Sequence, residues 1–289
     1  MATSGAPPEA MKRGMTGGKV FLVVIIMLAL GFGGGWFAHS VYGPQPGGPP
    51  QLPARIIVGT NTPFPPFEYR DPNTDEVVGF DIDLITEALD RIGYDTTEWE
   101  LFDFRDFSAL LTAVGENSVH IAVSAITMNG AIGAERNATM DFTDSYYESD
   151  QGILKRTPDA TVYCADENDC LASELDGLRV AVQAATSSEY WVADNLPTAT
   201  VTTYPDVTQV LQALQTNQVD IIVIDRPAAL GIAAGSPNQY TVAGTIQTNE
   251  LFSFAVANED PFGIVPLLNN ALDAMRNDAT YDEIVNRWF

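Results

Sequence analysis

Histidine and cysteine occur only twice each in this chain of 289 residues, and only three of its fourteen basic residues are lysine. With so little histidine, His120 is the one candidate for histidine chemistry outside the N-terminal flank that holds His39. Its position in a predicted buried strand points to a hydrogen-bonded structural role. Cys164 and Cys170 lie close together among Asp166, Glu167 and Asp169. Such a pair is expected to form a local disulfide in an extracytoplasmic chain, and a metal site is the alternative, with no histidine near to complete it. Basic residues are outnumbered 14 to 38, a formal charge of -24. A surface that acidic repels phosphate backbones, which argues against nucleic-acid binding, and it suits a salty medium that screens self-repulsion.

The length suits two lobes, or one large domain with a tail. Charge divides the chain. Residues 1–53 hold Lys12, Arg13 and Lys19 against Glu9, a balance of +2, which leaves 11 basic against 37 acidic residues, or -26, for the remainder. Residues 20–38 form a run of 19 uncharged positions dominated by Val, Ile, Leu, Phe and Gly. As a helix this run reaches about 28 Å, close to the roughly 30 Å of a bilayer's hydrocarbon core. The basic flank predicts a cytoplasmic N-terminus (1–19), a transmembrane anchor (20–38) and an exported remainder. A cleaved signal peptide, with Ala38 and Ser40 before the cut, is the competing reading, although the run exceeds the usual signal core of about 7–15 residues. Residues 39–53 read as a linker, whose GPQPGGPPQLP stretch suits an extended spacer of about 3.1 Å per residue.

From Ile56 onward, short apolar strands alternate with amphipathic helices, the order of an α/β fold. Residues 56–58 form a strand, and the following loop, Thr60 to Phe67, carries three prolines and cannot continue as a central strand. Gly79-Phe80-Asp81 opens a helix, with Asp81 as N-cap and Ile82, Ile85, Leu89 and Ile92 at helical spacing. A second helix begins near Asp106-Phe107-Ser108 and carries Leu110, Leu111 and Val114. Residues 150–156 and 251–256 read as strands passing between two lobes, the first made of residues 54–152 and 250–289, the second of 153–249. The second lobe opens with a strand at 177–183 and turns at 184–188 into a helix. Its helix with Val207, Val210, Leu211 and Leu214 precedes the apolar strand 219–224, which ends at Asp225. Helices near 262–277 and 281–289 close the chain.

Three places in this alternation suit a small charged molecule. The buried run 121–123 leads to the hydroxyls of Ser124 and Thr127, then to a glycine-bearing loop and Arg136. A guanidinium fork matches the two oxygens of a carboxylate and hydroxyls complete the shell, while a surface ion pair is the plainer role for Arg136. Asp225 ends a buried strand, where a carboxylate is costly unless it meets a cation; its other role is to cap the helix that begins Arg226-Pro227. Thr186 and Ser187 stand at a helix start, where free backbone N–H groups attract an anion and hydroxyls also serve as caps.

Taken in order, these stretches resemble the family 3 extracellular solute-binding proteins, the polar amino-acid receptors of ABC importers. The likeness is carried by Thr127 and Arg136 with DFTDSYY (141–147) behind them, GFDIDL (79–84), Asp106-Phe107 with Leu110-Leu111, VDIIVIDRP (219–227) and the terminal NRWF. Two departures stand out. The step from Thr127 to Arg136 is nine residues, which implies an insertion of roughly four residues between Met128 and Ala134. Gln183 and Ala185 replace the family's lysine and glycine.

The resemblance implies a type II periplasmic-binding fold, two α/β lobes joined by two hinge strands. It implies a ligand site in which Thr127, Arg136 and the turn of Thr186 and Ser187 hold an α-carboxylate and Asp225 holds an α-amino group. Phe64 and Phe107 would form apolar walls, and Asn61 and Gln183 would face the ligand's side chain. As both are neutral amides, a neutral polar amino acid such as glutamine or asparagine is expected. The resemblance also implies a binding protein and not an enzyme, without cofactor or metal, monomeric, held at the membrane and delivering to an ABC transporter permease. The alternatives are a sensing subunit that needs a signalling partner, and a dehydratase-type enzyme, for which Glu68 is the nearest acid.

Overall fold

The computed structural model describes residues 51–289, so the expected N-terminal segment (1–19), the anchor (20–38) and most of the linker (39–53) lie outside the described residues. No helix of the described residues is long and apolar enough to cross a membrane.

Strand β1 (Ile56–Thr60) runs parallel between β4 (Trp99–Asp103) and β5 (Ile121–Thr127). Every residue of β5 is buried, as expected for a strand covered on both faces. A small hairpin, β2 (Tyr69–Arg70) with β3 (Val77–Val78), follows the proline-rich loop. Helix α1 (Phe80–Arg91) then turns Leu84, Ile85, Ala88 and Leu89 into the core, and α2 (Phe107–Gly115) turns in Phe107, Leu110 and Val114. The short helix α3 (Gly130–Arg136) and strand β6 (Met140–Phe142) complete this stretch.

The second half is built the same way. Strand β8 (Arg179–Gln183) lies parallel to β9 (Thr200–Tyr204) and β10 (Ile221–Asp225), with α4 (Ala172–Leu175), α5 (Ser187–Asn195), α6 (Val207–Gln215) and α7 (Arg226–Gly235) in the connections. Two long strands join the halves: β7 (Tyr147–Arg156) and β11 (Tyr240–Ala257), antiparallel to each other. Strand β11 also pairs with β5, and β7 with β10, so one sheet runs β4-β1-β5-β11-β7-β10-β8-β9, with β6 on β11. Helices α8 (Val265–Asn277) and α9 (Thr280–Trp288) close the described fold. Because the strands are parallel within each half, the loops after β1, β5, β8 and β10 leave from carboxyl ends, where open α/β sheets form their crevices.

The loop after β1 is pinned by aromatic packing. The Phe67 ring lies 5.3 Å from Tyr147, 5.4 Å from Phe252 and 5.6 Å from Phe289, so the terminal residue helps hold the loop that carries Asn61 and Phe64. Gly79 has φ +146°, and a Cβ there would strike the Phe67 carbonyl, so only glycine fits between loop and helix.

Four expectations change. Asp81 does not cap α1: Gly79 holds that position, and the Asp81 carboxylate turns inward to accept from the Ala125 N–H and the Tyr146 hydroxyl, both at 2.8 Å. The 128–134 insertion is not an irregular bulge but the body of α3, with Gly133 packed against the Met128 carbonyl. Strand β11 starts at Tyr240, well before 251, because its first part pairs with β7 in the second half. The penultimate helix begins at Val265 and not near 262, with Pro266 in its first turn. The Cys164–Cys170 disulfide is formed, with Cα atoms 5.0 Å apart and both residues buried. His120 Nδ1 accepts from the Ile57 N–H at 3.0 Å, and burial pushes its pKa down, in keeping with a structural role.

Candidate functional site

The carboxyl ends of β1, β5, β8 and β10 converge on a cleft with about 300 Å³ of open space. Asn61, Phe64, Phe107, Thr127, Arg136, Gln183, Thr186, Ser187 and Asp225 all line it, joined by Ser124 and Ala125. The walls stand close: the space clear of every wall by a water radius is about 20 Å³, room for one or two waters.

Arg136, the last residue of α3, is buried. Its Nη1 donates to the Thr127 carbonyl at 2.7 Å and its Nη2 crosses the cleft to the Ala185 carbonyl at 2.9 Å. A guanidinium has five N–H donors, so three remain, including Nε, which has no partner among the described residues. The guanidinium carbon sits 5.6 Å from the centre of the Phe107 ring, which shields it on one side. Burial pulls the pKa of Arg136 down to about 10, against the pull of Glu250 and Asp225, and it stays charged at neutral pH. Opposite it, α5 begins with Thr186 as N-cap: its hydroxyl donates to the Gln183 carbonyl at 2.7 Å and accepts from the Glu189 N–H at 3.3 Å. The first-turn N–H groups of α5 and the free guanidinium donors thus border the same space, a suitable seat for an anion.

Asp225 comes from the other half. It precedes α7, but its carboxylate makes no capping bond and accepts from Gln151 Nε2 at 2.6 Å. Burial, and then the charge of Glu250, push its pKa well above the usual carboxylate range. A buried acid in that condition is a ready partner for a cation. Thr127 departs from expectation. Its hydroxyl donates to Glu250 Oε2 at 2.8 Å, so it offers the cleft lone pairs and not a donor for a carboxylate. At the far end, Gln183 Nε2 donates to Asn61 Oδ1 at 2.9 Å, while Asn61 Nδ2 donates to the Phe104 carbonyl at 2.7 Å. Phe64 and Phe107 each turn part of the ring to the cleft and pack the rest into core. Outside the cleft mouth, Tyr190 donates to Glu135 at 2.7 Å, a further bond between the halves.

The sequence from residue 56 to 289 matches the model of the bacterial extracellular solute-binding proteins, family 3. The chain belongs to this family. A probable histidine-binding protein of Campylobacter jejuni is 28% identical over 235 residues, 81% of this chain and 84% of the relative. The ABC transporter glutamine-binding protein GlnH of Bacillus subtilis is 26% identical over 235 residues, 81% of each. Among solved structures, an ancestral arginine-binding protein bound to glutamine is 28% identical, covers 83% of this chain and 99% of its own, and superposes with a TM-score of 0.72. The fold of this solute-binding protein is accordingly the type II periplasmic-binding fold, and the relatives just given are named as binding proteins.

Sequence reading missed one buried acid and an amide beside the cleft of this family 3 protein. Gln151 on β7 and Glu250 on β11 join Asp225. Behind Ser124 lies Glu68, which accepts the Ser124 hydroxyl at 2.5 Å and whose pKa burial, then Asp81, push well above the usual range. Asp81, also raised by burial, to about 7, keeps it company. Glu68 is thus enclosed and structural, not a proton donor poised in the cleft. Gln151 and Glu250 had no local signal, since both sit in strands whose neighbours are read for burial and not for chemistry.

Proposed function

We propose that this protein captures an α-amino acid with a neutral polar side chain, glutamine first, and delivers it to the permease of an ABC transporter. The carrying observation is that Arg136 and Asp225 belong to opposite halves of the fold yet line one cleft. A zwitterion satisfies both only when the halves are together. It therefore stabilises the closed form by its differential contacts. The α-carboxylate takes the free donors of Arg136 and the first turn of α5; the α-ammonium takes Asp225 and the Thr127 hydroxyl oxygen.

At the side-chain end the Asn61 and Gln183 amides offer donors and acceptors without charge, which supports a neutral ligand over the arginine or histidine of the relatives' names. The protein acts as a monomer outside the cytoplasm, held at the membrane by residues 20–38; the apolar run, its basic flank and membership of an extracellular family support that placement. A thermal-shift screen of the common amino acids tests the reading, because a ligand raises Tm by mass action. Glutamine is expected to give the largest shift. A panel without any shift rejects amino-acid capture, and a larger shift with arginine rejects the assignment of a neutral ligand.

A further inference from the structure

Two carboxylates share one amide beside the cleft: Asp225, which lines it, and Glu250, which stands behind Thr127 and accepts its hydroxyl. Gln151 Nε2 donates to Asp225 Oδ1 at 2.6 Å and to Glu250 Oε1 at 2.7 Å. Its Oε1 accepts from the Ser188 hydroxyl at 2.6 Å, which sets the amide in that sense. Both amide hydrogens are therefore spent, and the two acids lie within the span of two hydrogen bonds. Asp225 is 7% exposed and Glu250 6%.

Glu250 reaches this place through a break in the hinge. The pairing of β11 with β7 shifts register between Ile246 and Glu250, and Asn249 adopts φ +52°. Asp150 Oδ1 holds the break by accepting from the N–H groups of Thr248 and Asn249 at 2.8 and 3.1 Å. Such a bulge re-aims the residue that follows it.

The charges around the pair do not balance. Arg136 is the cation whose charge bears on both acids. Glu68, buried beyond Ser124, is itself raised by burial and in small part by the charge of Asp225, so it supplies no balancing cation. Arg226, next in sequence, is exposed and donates to the Thr245 hydroxyl at 3.1 Å, and Asp150 is occupied by the bulge. One buried cation against two buried acids leaves a negative charge uncompensated, and a protein interior removes such a charge by taking up a proton. The upward displacement of the Asp225 carboxyl agrees with this.

We propose that Glu250 belongs to the ligand site: placed beside Asp225 on the Gln151 amide, it makes the pair keep one proton, on the Asp225 carboxyl, in the unliganded protein, and that proton is released to solvent when the ligand's α-ammonium arrives. The inference rests on the amino-acid reading above. Charge and protons balance, since the protonated pair and the ammonium become the doubly ionised pair with the ammonium beside it, plus one proton passed to buffer. The sign follows: a proton bound only without ligand competes with it, so affinity rises with pH until the pair is ionised in both states, by up to about tenfold per pH unit.

Calorimetry of the full chain with L-glutamine and with L-arginine near pH 6, in two buffers of different ionisation heat, reads the proton directly. The expected result is about one proton released per amino acid bound in the wild type and none in Glu250→Gln. Binding without proton release in the wild type overturns the proposal, and that measurement needs no variant to fold. Equal release in Glu250→Gln also overturns it. Absence of heat with either amino acid counts against the functional reading and not against the pair. Infrared spectroscopy of the unliganded chain then decides: the pair adds one protonated carboxyl to those of Glu68 and Asp81, so Glu250→Gln reduces the protonated-carboxyl band without abolishing it, and a band untouched by Glu250→Gln refutes the pair.

Discussion

Replacing Arg136 with alanine removes a buried cation that the structure places at the junction of the two halves. Two of its five donors are engaged by the Thr127 and Ala185 carbonyls, and the rest remain for an α-carboxylate. Two charge-assisted bonds to that carboxylate contribute about 1.5–3 kcal/mol each, and part of this is offset by stripping water from the carboxylate. A net loss of at least about 2 kcal/mol follows, roughly a thirtyfold rise in Kd. The variant also loses the bond from Nη2 to Ala185, which joins the halves, so weaker closure alone must be separated from loss of the carboxylate partner. Tyr190→Phe provides that control. It deletes the bond to Glu135 between the same halves without touching the cleft, and an exposed bond of this kind is worth under about 1 kcal/mol. Calorimetric titration of the three proteins with L-glutamine should therefore show a large loss for Arg136→Ala and a small one for Tyr190→Phe. Affinity of Arg136→Ala within about threefold of wild type, or equal losses in both variants, would refute the role given to the guanidinium.

Asp225→Asn should weaken amino-acid binding by at least about 2 kcal/mol while leaving thermal stability equal or higher, because the amide can still accept from Gln151 and is not repelled by Glu250. Parallel losses in binding and Tm would make Asp225 merely structural. Gly79→Ala should cost about 3 kcal/mol in urea unfolding, since a Cβ at φ +146° meets the Phe67 carbonyl; a change below about 0.5 kcal/mol contradicts the packing described. The Asp81 carboxyl, raised by burial to about 7 in the fold from an ordinary value near 3.8, gives a signed pH effect. The folded state holds its proton more tightly, so the contribution is complete below the unfolded value and is lost as pH rises towards 7. Melting temperature should fall between pH 5 and 8, and Asp81→Asn should flatten that fall; an unchanged slope in the variant counts against it.

The strand and helix alternation was legible because each strand is short and apolar and each helix has its own periodicity. The apolar run 219–224 ending on an acid already marked Asp225 as anomalous. Arg136 was legible as a residue but not in its bonds, since its partners are backbone carbonyls that sequence does not display. The α3 helix was hidden by two glycines in seven residues, which read as loop; one of them, Gly133, is there to let the helix pack on Met128. Asp81 read as a cap because an acid at a helix start ordinarily is one, but a tyrosine and a backbone N–H more than forty residues away claim its carboxylate. Glu250 is the deepest omission. Alternation along β11 assigns each residue a face, and the register shift before Glu250 breaks that alternation in a way that shows only once β7 is paired beside it.

In the proposed site one cleft grips both charged ends of an amino acid. Titration calorimetry of the full chain with L-glutamine, N-acetyl-L-glutamine and L-glutamine amide, the last two blocked at one end each, tests it most directly. L-glutamine should bind measurably, and either blocked form at least about tenfold more weakly, as each leaves a buried charged group of the site without its partner. Binding of a blocked form as tightly as L-glutamine itself would contradict it.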